Sequence, residues 1–217
     1  MNNAICEMCG RRQYAKRKVF DRGWLWKDDL RAGKRKVFWV RLQPSWQSDK
    51  SGQPFMDEGG KYLRSLLEGT ELGRMSHFTS LVKCYRSKEI VDKWGKIVLA
   101  AQPPTRQEII YCHRRGYKHE AASCDPVYVV CFGKAVLRQI ARLRPKDCKD
   151  LKSGYVNFDH EVPMMLVEDP SYVITHPNRR WFFEKCIRRV ARYVQGAATV
   201  KSNEFEEGEL CLGTTST

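Results

Sequence analysis

Residues 36–42 read KVFWVRL. This run is apolar at most positions and rich in Val and aromatic side chains, which is typical of a strand buried on both faces. Three other stretches also predict strands, at residues 77–82 (HFTSLV), 127–132 (VYVVCF) and 171–175 (SYVIT). A further apolar stretch covers residues 163–168.

Helical patterns separate these strands. Leucines recur at helical spacing over residues 59–68, and basic amphipathic patterns predict helices over 134–143 and 180–195. Thr105, followed three residues later by Glu108, forms the capping box that begins another helix. Because strands alternate with helices, the sequence predicts an α/β fold built around a mostly parallel sheet that is covered on both faces.

The 217 residues suit one domain over residues 1–200. The segment 201–217 is acidic and then rich in Gly and Thr, and we expect it to be disordered. The chain has no apolar run of 18 or more residues and no apolar leader, so a cytosolic protein is expected.

The net charge of +14 points to a polyanionic partner. The basic residues form clusters at residues 11–12, 16–18, 34–36, 114–115, 179–180 and 188–189. Nucleic acid is the partner that such clusters favour. An anionic membrane is the weaker alternative, because the sequence lacks a basic helix with a broad apolar face.

Three chemically rich segments follow predicted strands: residues 43–55, 83–84 and 176–181. In open α/β sheets, ligands bind beyond the carboxyl ends of the strands. We therefore expect these segments to meet at one edge of the sheet and to form a single site.

Nine cysteines are many for a cytosolic chain, in which disulfides are disfavoured. Cys6 and Cys9 form a C-x-x-C pair, which favours metal or cluster ligation. Cys131 and Cys186 lie within apolar patterns and are expected in the core. Thiolates at irregular spacing suit an iron–sulfur cluster as well as zinc, and spacing alone leaves both open.

Several motifs, in order, resemble the iron–sulfur uracil-DNA glycosylases known as family 4. That family opens with C-x-x-C, as this chain does at Cys6 and Cys9. Its first strand leads into G-E-A-P-G-x-x-x-D-x-x-G-x-P-F, where residues 41–55 here read RLQPSWQSDKSGQPF. Its next strand ends in T-N-x-V-K-C, where residues 79–84 read TSLVKC.

The resemblance continues through the second half of the chain. The family helix P-T-x-x-E-I-x-x-C matches residues 104–112, which read PTRQEIIYC. A strand of the V-x-V-x-x-G type matches residues 127–133, and the final H-P-S motif is matched by His176-Pro177-Asn178. The resemblance implies a three-layer α/β/α sandwich with a mostly parallel four-stranded central sheet.

The resemblance also implies a 4Fe-4S cluster held by Cys6, Cys9, Cys84 and Cys112, with zinc as the alternative metal. Cys124 competes with Cys112 for the fourth position. The separation between Cys84 and Cys112 is longer than in the family and implies an insertion around residues 86–102.

Two departures from the family concern the base pocket. Leu42 replaces the acidic residue of G-E-A-P-G, and Arg41 replaces its first glycine. Ser80 replaces the Asn that reads the uracil edge. A site that loses a polar reader loses the selectivity that this reader gave. The pocket is therefore expected to admit a larger or differently substituted base, or to have lost the chemistry.

The resemblance assigns roles to the remaining candidates. His176 would stabilise negative charge on the departing base, and Asp49 is the carboxylate expected to position water or to stabilise an oxocarbenium ion. The base would stack on Phe55 and meet Leu42, Gln43 and Ser80. DNA contacts are expected from Arg179, Arg180, Trp181 and Lys83.

The expected function is a DNA glycosylase that extrudes a non-standard base and leaves an abasic site. Phage hydroxymethylated or glucosylated cytosine, or uracil, are the candidate bases, in DNA repair or phage defence. The alternatives are a non-catalytic DNA-binding member of the fold, acting in replication or defence, and an unrelated zinc-stabilised binding module. The protein is expected to act as a monomer.

Overall fold

The computed structural model describes residues 9, 11–16, 19, 36–157 and 160–196. Cys6 and the tail 201–217, both subjects of predictions above, lie outside these residues. The strands are β1 (Lys36–Arg41), β2 (Ser76–Ser80), β3 (Ser87–Val91), β4 (Ile97–Ala101), β5 (Pro126–Phe132), β6 (Val156–Asn157) and β7 (Met164–Val167).

The helices are α1 (Trp46–Ser51), α2 (Glu58–Leu67), α3 (Glu71–Arg74), α4 (Arg106–Cys112), α5 (Lys118–Cys124), α6 (Lys134–Ile140), α7 (Pro170–Thr175) and α8 (Arg180–Val194). A wide helical turn, His113–Tyr117, joins α4 to α5. Short 3-10 turns lie at Arg12–Tyr14, Pro145–Cys148 and Pro177–Arg179. None of the described helices is both long and apolar enough to cross a membrane.

Within the described residues, five strands form one sheet in the order β2-β1-β5-β7-β6. The strands β2, β1, β5 and β7 are parallel, and the two-residue β6 is antiparallel to β7. All six residues of β1 are buried, as the opening stretch predicted for an interior strand. The mostly parallel α/β fold is confirmed, with β6 added at one edge.

Alternate residues of the strands build two separate cores, because successive side chains of a strand point to opposite faces. On one face, Trp39 and Val130 pack with Leu63 of α2, Val173 of α7 and Phe183 of α8. On the other face, Val40 and Cys131 pack with Leu137 of α6 and with Tyr117. Helices therefore cover both faces, which is the three-layer arrangement expected.

One predicted strand is wrong. Residues 171–175 belong to helix α7, and the fourth parallel strand is β7, within the apolar stretch 163–168. Asp169 caps α7 by accepting a hydrogen bond from the Ser171 N–H, and Pro170 occupies the first turn, where its missing N–H is harmless. A five-residue apolar run is too short for periodicity to separate strand from helix.

The other predicted elements are found with small shifts in their ends. The capping box of Thr105 and Glu108 begins α4 as predicted; α4 ends at Cys112, and the wide helical turn His113–Tyr117 continues from it. The segment that joins β1 to α2 contains the short helix α1, capped by Ser45. The insertion around residues 86–102 is an antiparallel hairpin of β3 and β4 that forms a sheet of its own.

Candidate active site

The carboxyl ends of the parallel strands bring together the segments that carry polar side chains. Arg41 at the end of β1 pairs in register with Ser80 at the end of β2. On the other side of β1, Phe132 of β5 pairs with Val167 of β7, two residues before Asp169. One edge of the sheet therefore collects the residues that follow β1, β2 and β7. Segments 43–55 and 83–84 follow β1 and β2 as predicted, whereas the third predicted segment, 176–181, follows helix α7 rather than a strand.

Phe55 lies beneath this edge and is almost fully enclosed. Its ring is 2% exposed and packs against Phe78 and Phe132, at centroid distances of 5.3 and 5.7 Å. Its backbone adopts the left-handed region, with φ of 57°, which is unfavourable for a bulky side chain and persists only where surrounding packing enforces it. Phe55 is thus locked in place by its aromatic neighbours.

Two glycines bring helix α2 close to this edge. A side chain at Gly60 would overlap the backbone of Phe55, and one at Gly59 would overlap the backbone of Ser171 at the start of α7. The absence of side chains at both positions lets the first turn of α2 touch the Phe55 loop and α7 at once. The caps of both helices consequently face the end of β1.

Arg41 joins these caps. Its Nη1 donates to Asp57, the cap of α2, at 2.6 Å, and its Nη2 donates to Asp169, the cap of α7, at 3.0 Å. Nη2 also donates to the Ser171 hydroxyl at 3.0 Å, and that hydroxyl donates in turn to Asp57. The guanidinium carbon lies 4.3 Å from the centroid of the Phe55 ring. Arg41 therefore covers the aromatic face on which a base was expected to stack.

Arg41 stabilises the charged form of the Asp57 carboxylate. Burial alone would raise the pKa of Asp57, but the Arg41 charge and hydrogen bonds from Arg41 and Ser171 outweigh it and hold the pKa below the ordinary value. The Asp169 side chain is 38% exposed and is the more accessible of the two carboxylates. The site thus presents a fixed guanidinium beside a carboxylate that solvent can reach.

The other side chains predicted to contact the base differ in their positions and in their hydrogen-bond partners. Ser80 is buried at the end of β2. Leu42 packs partly against the core on the α6 face, and its carbonyl accepts a hydrogen bond from the Val82 N–H. The Gln43 side-chain oxygen accepts from Arg11, so it faces the N-terminal segment. The structure therefore places Ser80 next to Arg41 in register, whereas Gln43 is engaged elsewhere.

His176 and Asp49, the predicted catalytic pair, are not part of this group. His176 follows helix α7 rather than a strand, so it lies about 10 Å along the helix axis from the Asp169 cap. Its ring is exposed and stacks on Tyr172 at 3.9 Å, with Nδ1 2.9 Å from the Tyr172 carbonyl. Asp49 is buried in α1 and accepts from the Lys16 N–H at 3.1 Å.

The predicted DNA contacts divide into exposed and engaged side chains. Arg180 and Trp181 are exposed at the start of α8. Arg179 donates three hydrogen bonds to the Glu168 carboxylate, the shortest being 2.6 Å. Lys83 is buried and ion-paired with Glu120, and this burial does not suit a contact with phosphate.

The segments that carry the predicted cluster ligands meet at Arg11. This buried side chain donates to the Cys84 carbonyl at 2.9 Å and to Glu108, one turn before Cys112, at 3.3 Å. Arg11 itself lies two residues after Cys9, whose carbonyl accepts from the Arg12 N–H. Within the described part of the chain, however, no three His, Cys, Asp or Glu side chains are grouped closely enough to hold a metal ion.

The cysteines predicted for the core are there. Cys131 and Cys186 are buried. Burial raises the pKa of the Cys131 thiol, and it raises the pKa of Cys186 to about 11. Both thiols therefore remain protonated at neutral pH and act as small apolar side chains.

Comparison with known proteins decides the family. The model of the uracil DNA glycosylase superfamily matches residues 29–191, which is well over half of the chain. The chain belongs to the uracil-DNA glycosylase superfamily. That family is one of DNA glycosylases, so the superfamily gives the class of reaction and DNA as its substrate.

A solved structure has the same fold. The crystal structure of wild-type SMUG2 from Pedobacter heparinus superposes with a TM-score of 0.55 at 8% sequence identity, covering 81% of this chain and 80% of that chain. A comparison with curated proteins found no match. The likeness supports the fold, while the choice of base comes from neither comparison.

The fold also identifies a residue that the sequence interpretation missed. The family's H-P-S motif was assigned to His176-Pro177-Asn178 on the premise that residues 171–175 form the last strand. The last strand is β7, and the tripeptide that follows it is Asp169-Pro170-Ser171. The shared Pro-Ser was a signal for this second match, which places a carboxylate at the strand end.

Proposed function

We propose that this protein is a DNA glycosylase that hydrolyses the N-glycosidic bond of a modified pyrimidine and leaves an abasic site. The observation that carries the proposal is the Arg41 guanidinium, fixed between Asp57 and Asp169 at the strand ends of a superfamily member. Hydroxymethylated or glucosylated cytosine are the bases that we expect first, and uracil is the simplest competitor.

The arrangement of charges suits the hydrolysis. When the bond between sugar C1′ and the base nitrogen breaks, its electron pair leaves with the base, and positive charge develops on the sugar. Arg41 would donate hydrogen bonds to the oxygen of the departing base, because a preorganised cation favours charge that develops in the transition state. The departing base takes its proton from solvent.

Asp169 would serve the sugar side of the reaction. Its carboxylate is partly exposed and lies beside Arg41, so it has access both to water and to the reacting base. The water oxygen bonds to C1′, and Asp169 accepts the released proton and passes it to solvent. In this proposal Asp169 takes the role predicted for Asp49, and Arg41 takes the role predicted for His176.

The stacking surface also changes under this proposal. Phe55 is covered by Arg41, and a base reaches its ring only if Arg41 moves. The planar guanidinium is itself a stacking surface for a base and can hydrogen-bond at its edge. We therefore assign the base contact to Arg41 and a supporting role to Phe55.

The substitutions around the pocket support a larger base. Ser80, in register with Arg41, has a shorter side chain than the Asn of the resembled family and offers one hydroxyl. Leu42 brings no carboxylate to the site and turns partly into the core. A pocket with fewer polar groups at these positions penalises a substituent on the base less than a complete uracil reader does.

An exposed basic and aromatic surface lies next to the proposed pocket. Tyr172 and His176 extend from α7, and Arg180 and Trp181 begin α8, all exposed. Cations and aromatic rings at this position suit contacts with phosphates and with bases near an extruded nucleotide. We propose that these four side chains face DNA, and that Arg179 orders their turn through Glu168.

We further propose that Cys6, Cys9, Cys84 and Cys112 bind a 4Fe-4S cluster, with zinc as the alternative. The contacts of Arg11 with the Cys84 carbonyl and with Glu108 support the convergence of these segments. The described ligands alone do not form a metal group, so the proposal depends on Cys6. The cluster would tie the N-terminal segment to the pocket loops and would take no part in hydrolysis.

The metal proposal has a direct test. The purified protein should show broad visible absorption and contain iron and acid-labile sulfide, and Cys84→Ala should lose both. A colourless, iron-free protein that contains zinc would favour the alternative metal, and a protein with neither metal would refute ligation by these cysteines.

The test of the glycosylase is an abasic-site assay. Purified protein is incubated with duplex and single-stranded DNA that carry uracil, hydroxymethylcytosine or glucosylated hydroxymethylcytosine, and abasic sites are then cleaved with alkali. We expect product from at least one modified cytosine. Absence of product from every substrate, by protein that binds the same DNA, would refute catalysis.

The closed face of Phe55 favours one alternative, a member of the fold that binds DNA without cleaving the glycosidic bond. In that case Arg41 would fill the base pocket permanently, held by Asp57, Asp169 and Ser171. This alternative predicts DNA binding that Arg41→Gln leaves unchanged, with no abasic product from either protein.

A further inference from the structure

The inserted hairpin β3–β4 is almost wholly exposed. Its strands pair with each other, from Ser87↔Ala101 at the base to Val91↔Ile97 near the tip, and they do not join the main sheet. An isolated two-stranded hairpin is marginally stable in water. A binding partner that covers the hairpin would therefore stabilise it.

One face of the hairpin is apolar and uncovered. Val91, Ile97 and Leu99 share this face, since Val91 pairs with Ile97 and Leu99 lies two residues further along β4. Glu89, which pairs with Leu99, lies on the same face, nearer the base of the hairpin. Their exposed fractions are 68%, 71% and 69%. Contiguous apolar side chains at such exposure mark an interaction surface.

The tip adds an aromatic ring and two cations. Asp92 shapes the turn by accepting hydrogen bonds from the backbone N–H groups of Trp94 and Lys96, both at 2.9 Å. Trp94 is 73% exposed, and the Lys93 ammonium lies 4.3 Å from the centroid of its ring. The Asp92 carboxylate is engaged within the turn, so the tip presents Lys93, Trp94 and Lys96 outward.

The hairpin is anchored at the same edge as the candidate site. It follows the carboxyl end of β2, and its two strands are joined at the base by the Gln102 N–H, which donates to the Arg86 carbonyl at 2.8 Å. Arg11 donates to the Gln102 carbonyl at 2.8 Å. The Arg86 guanidinium lies 4.2 Å from the Tyr14 ring centroid. These contacts fix the direction in which the hairpin projects.

We infer that the β3–β4 hairpin is a second DNA-contact element, which binds the duplex at a distance from the extruded base. A two-stranded ribbon fits the major groove, where apolar side chains contact thymine methyl groups and the tip cations reach phosphates. Lys93 and Lys96 at the tip, on a chain of net charge +14, favour DNA over a neutral protein partner. The inference rests on the proposed function only in taking DNA as the ligand.

The length of the hairpin determines how many base pairs it can contact. Five residues of strand extend about 17 Å, which spans roughly five base pairs at about 3.4 Å each. Binding to a duplex of about 24 base pairs centred on the target base should therefore include the hairpin, whereas a duplex of about 10 base pairs with the target base at its hairpin-side end leaves the hairpin no DNA to contact.

The test measures Kd for these two duplexes by fluorescence anisotropy. It compares the wild type with a tip variant that combines Lys93→Ala, Trp94→Ala and Lys96→Ala. We expect roughly tenfold weaker binding to the long duplex, a salt slope smaller by about 2, and unchanged binding to the short duplex. The control, Arg188→Ala with Arg192→Ala, removes two charges from the exposed side of α8 and should show no dependence on duplex length.

The outcomes distinguish DNA binding by the hairpin from base excision at the candidate site. Length-dependent loss of binding supports the hairpin contact whether or not any base is excised. Equal Kd values for the wild type and the tip variant on the long duplex would overturn it, even if excision is robust. A dimer in sedimentation that Leu99→Lys abolishes, with DNA affinity unchanged, would also overturn it by assigning the apolar face to a second copy of the chain.

Discussion

Arg41 connects three elements through a single guanidinium. It ends β1 and holds the capping carboxylates of α2 and α7, while its flat face rests over Phe55. Asp57 and Asp169 each also cap a helix, by accepting from Gly60 and Ser171 N–H groups. The same contacts therefore serve the fold and the proposed chemistry, so their disruption should be visible in both.

Replacing Arg41 by Met should destabilise the protein by about 3–5 kcal/mol, because it leaves two carboxylates without their cation in a largely buried site. Urea unfolding at neutral pH measures this change. Arg41→Lys retains the charge without the planar fork and should fall between Met and wild type. An unchanged free energy of unfolding in Arg41→Met would show that the contacts of Arg41 with Asp57 and Asp169 do not stabilise the fold.

Asp57 should make stability depend on acid. Its folded pKa lies below the ordinary value of 3.8, so its contribution is complete above that value and is lost as pH falls through the lower folded pKa. Urea midpoints measured from about pH 5 to 2 should fall steeply in the wild type and less steeply in Asp57→Asn. Parallel curves for the two proteins would contradict the assigned pKa shift.

At the scale of elements, the first turn of α2 is the most constrained contact near the site. Gly60→Ala would push a methyl group into the Phe55 backbone and should destabilise the protein by about 1–3 kcal/mol through overpacking. Ser65→Ala, on the exposed side of the same helix, is the control and should change stability by less than about 0.5 kcal/mol. Thermal unfolding compares them, and equal midpoints would mean that α2 shifts freely.

Patterns that depend on one element were predictable from the sequence. The apolar run of β1 and the capping box of Thr105 and Glu108 both correspond to the elements predicted. The hairpin was missed although Asp92 to Gly95 between apolar runs carries turn residues. The short run 171–175 was misassigned, because Pro170 and the Asp169 cap select a helix that apolar composition alone does not reveal.

The site depends on hydrogen bonds between residues that are far apart in the sequence, and local sequence patterns do not predict such contacts. Arg41 was noticed only as a lost glycine, since its partners lie 16 and 128 positions away. Asp169 was overlooked because the strand before it was placed too late in the chain. Arg11 joins four segments through one side chain, and no local pattern marks such a residue.

At the scale of the whole molecule, the parallel sheet directs its functional segments to one edge. The Arg41 group and the base of the β3–β4 hairpin follow the carboxyl ends of strands, and helix α7 leads from the end of β7 to the exposed start of α8. A strongly basic chain with these features on one side suits a duplex that runs across that edge. The central claim is that Arg41 and Asp169 there hydrolyse a glycosidic bond.

Single-turnover abasic-site formation tests this claim most directly, comparing wild type, Asp169→Asn and His176→Ala on the best modified-pyrimidine duplex. The account predicts product from the wild type, a rate at least about 100-fold lower for Asp169→Asn, and a smaller loss for His176→Ala. Wild-type rates in Asp169→Asn, or an inactive His176→Ala beside an active Asp169→Asn, would contradict it.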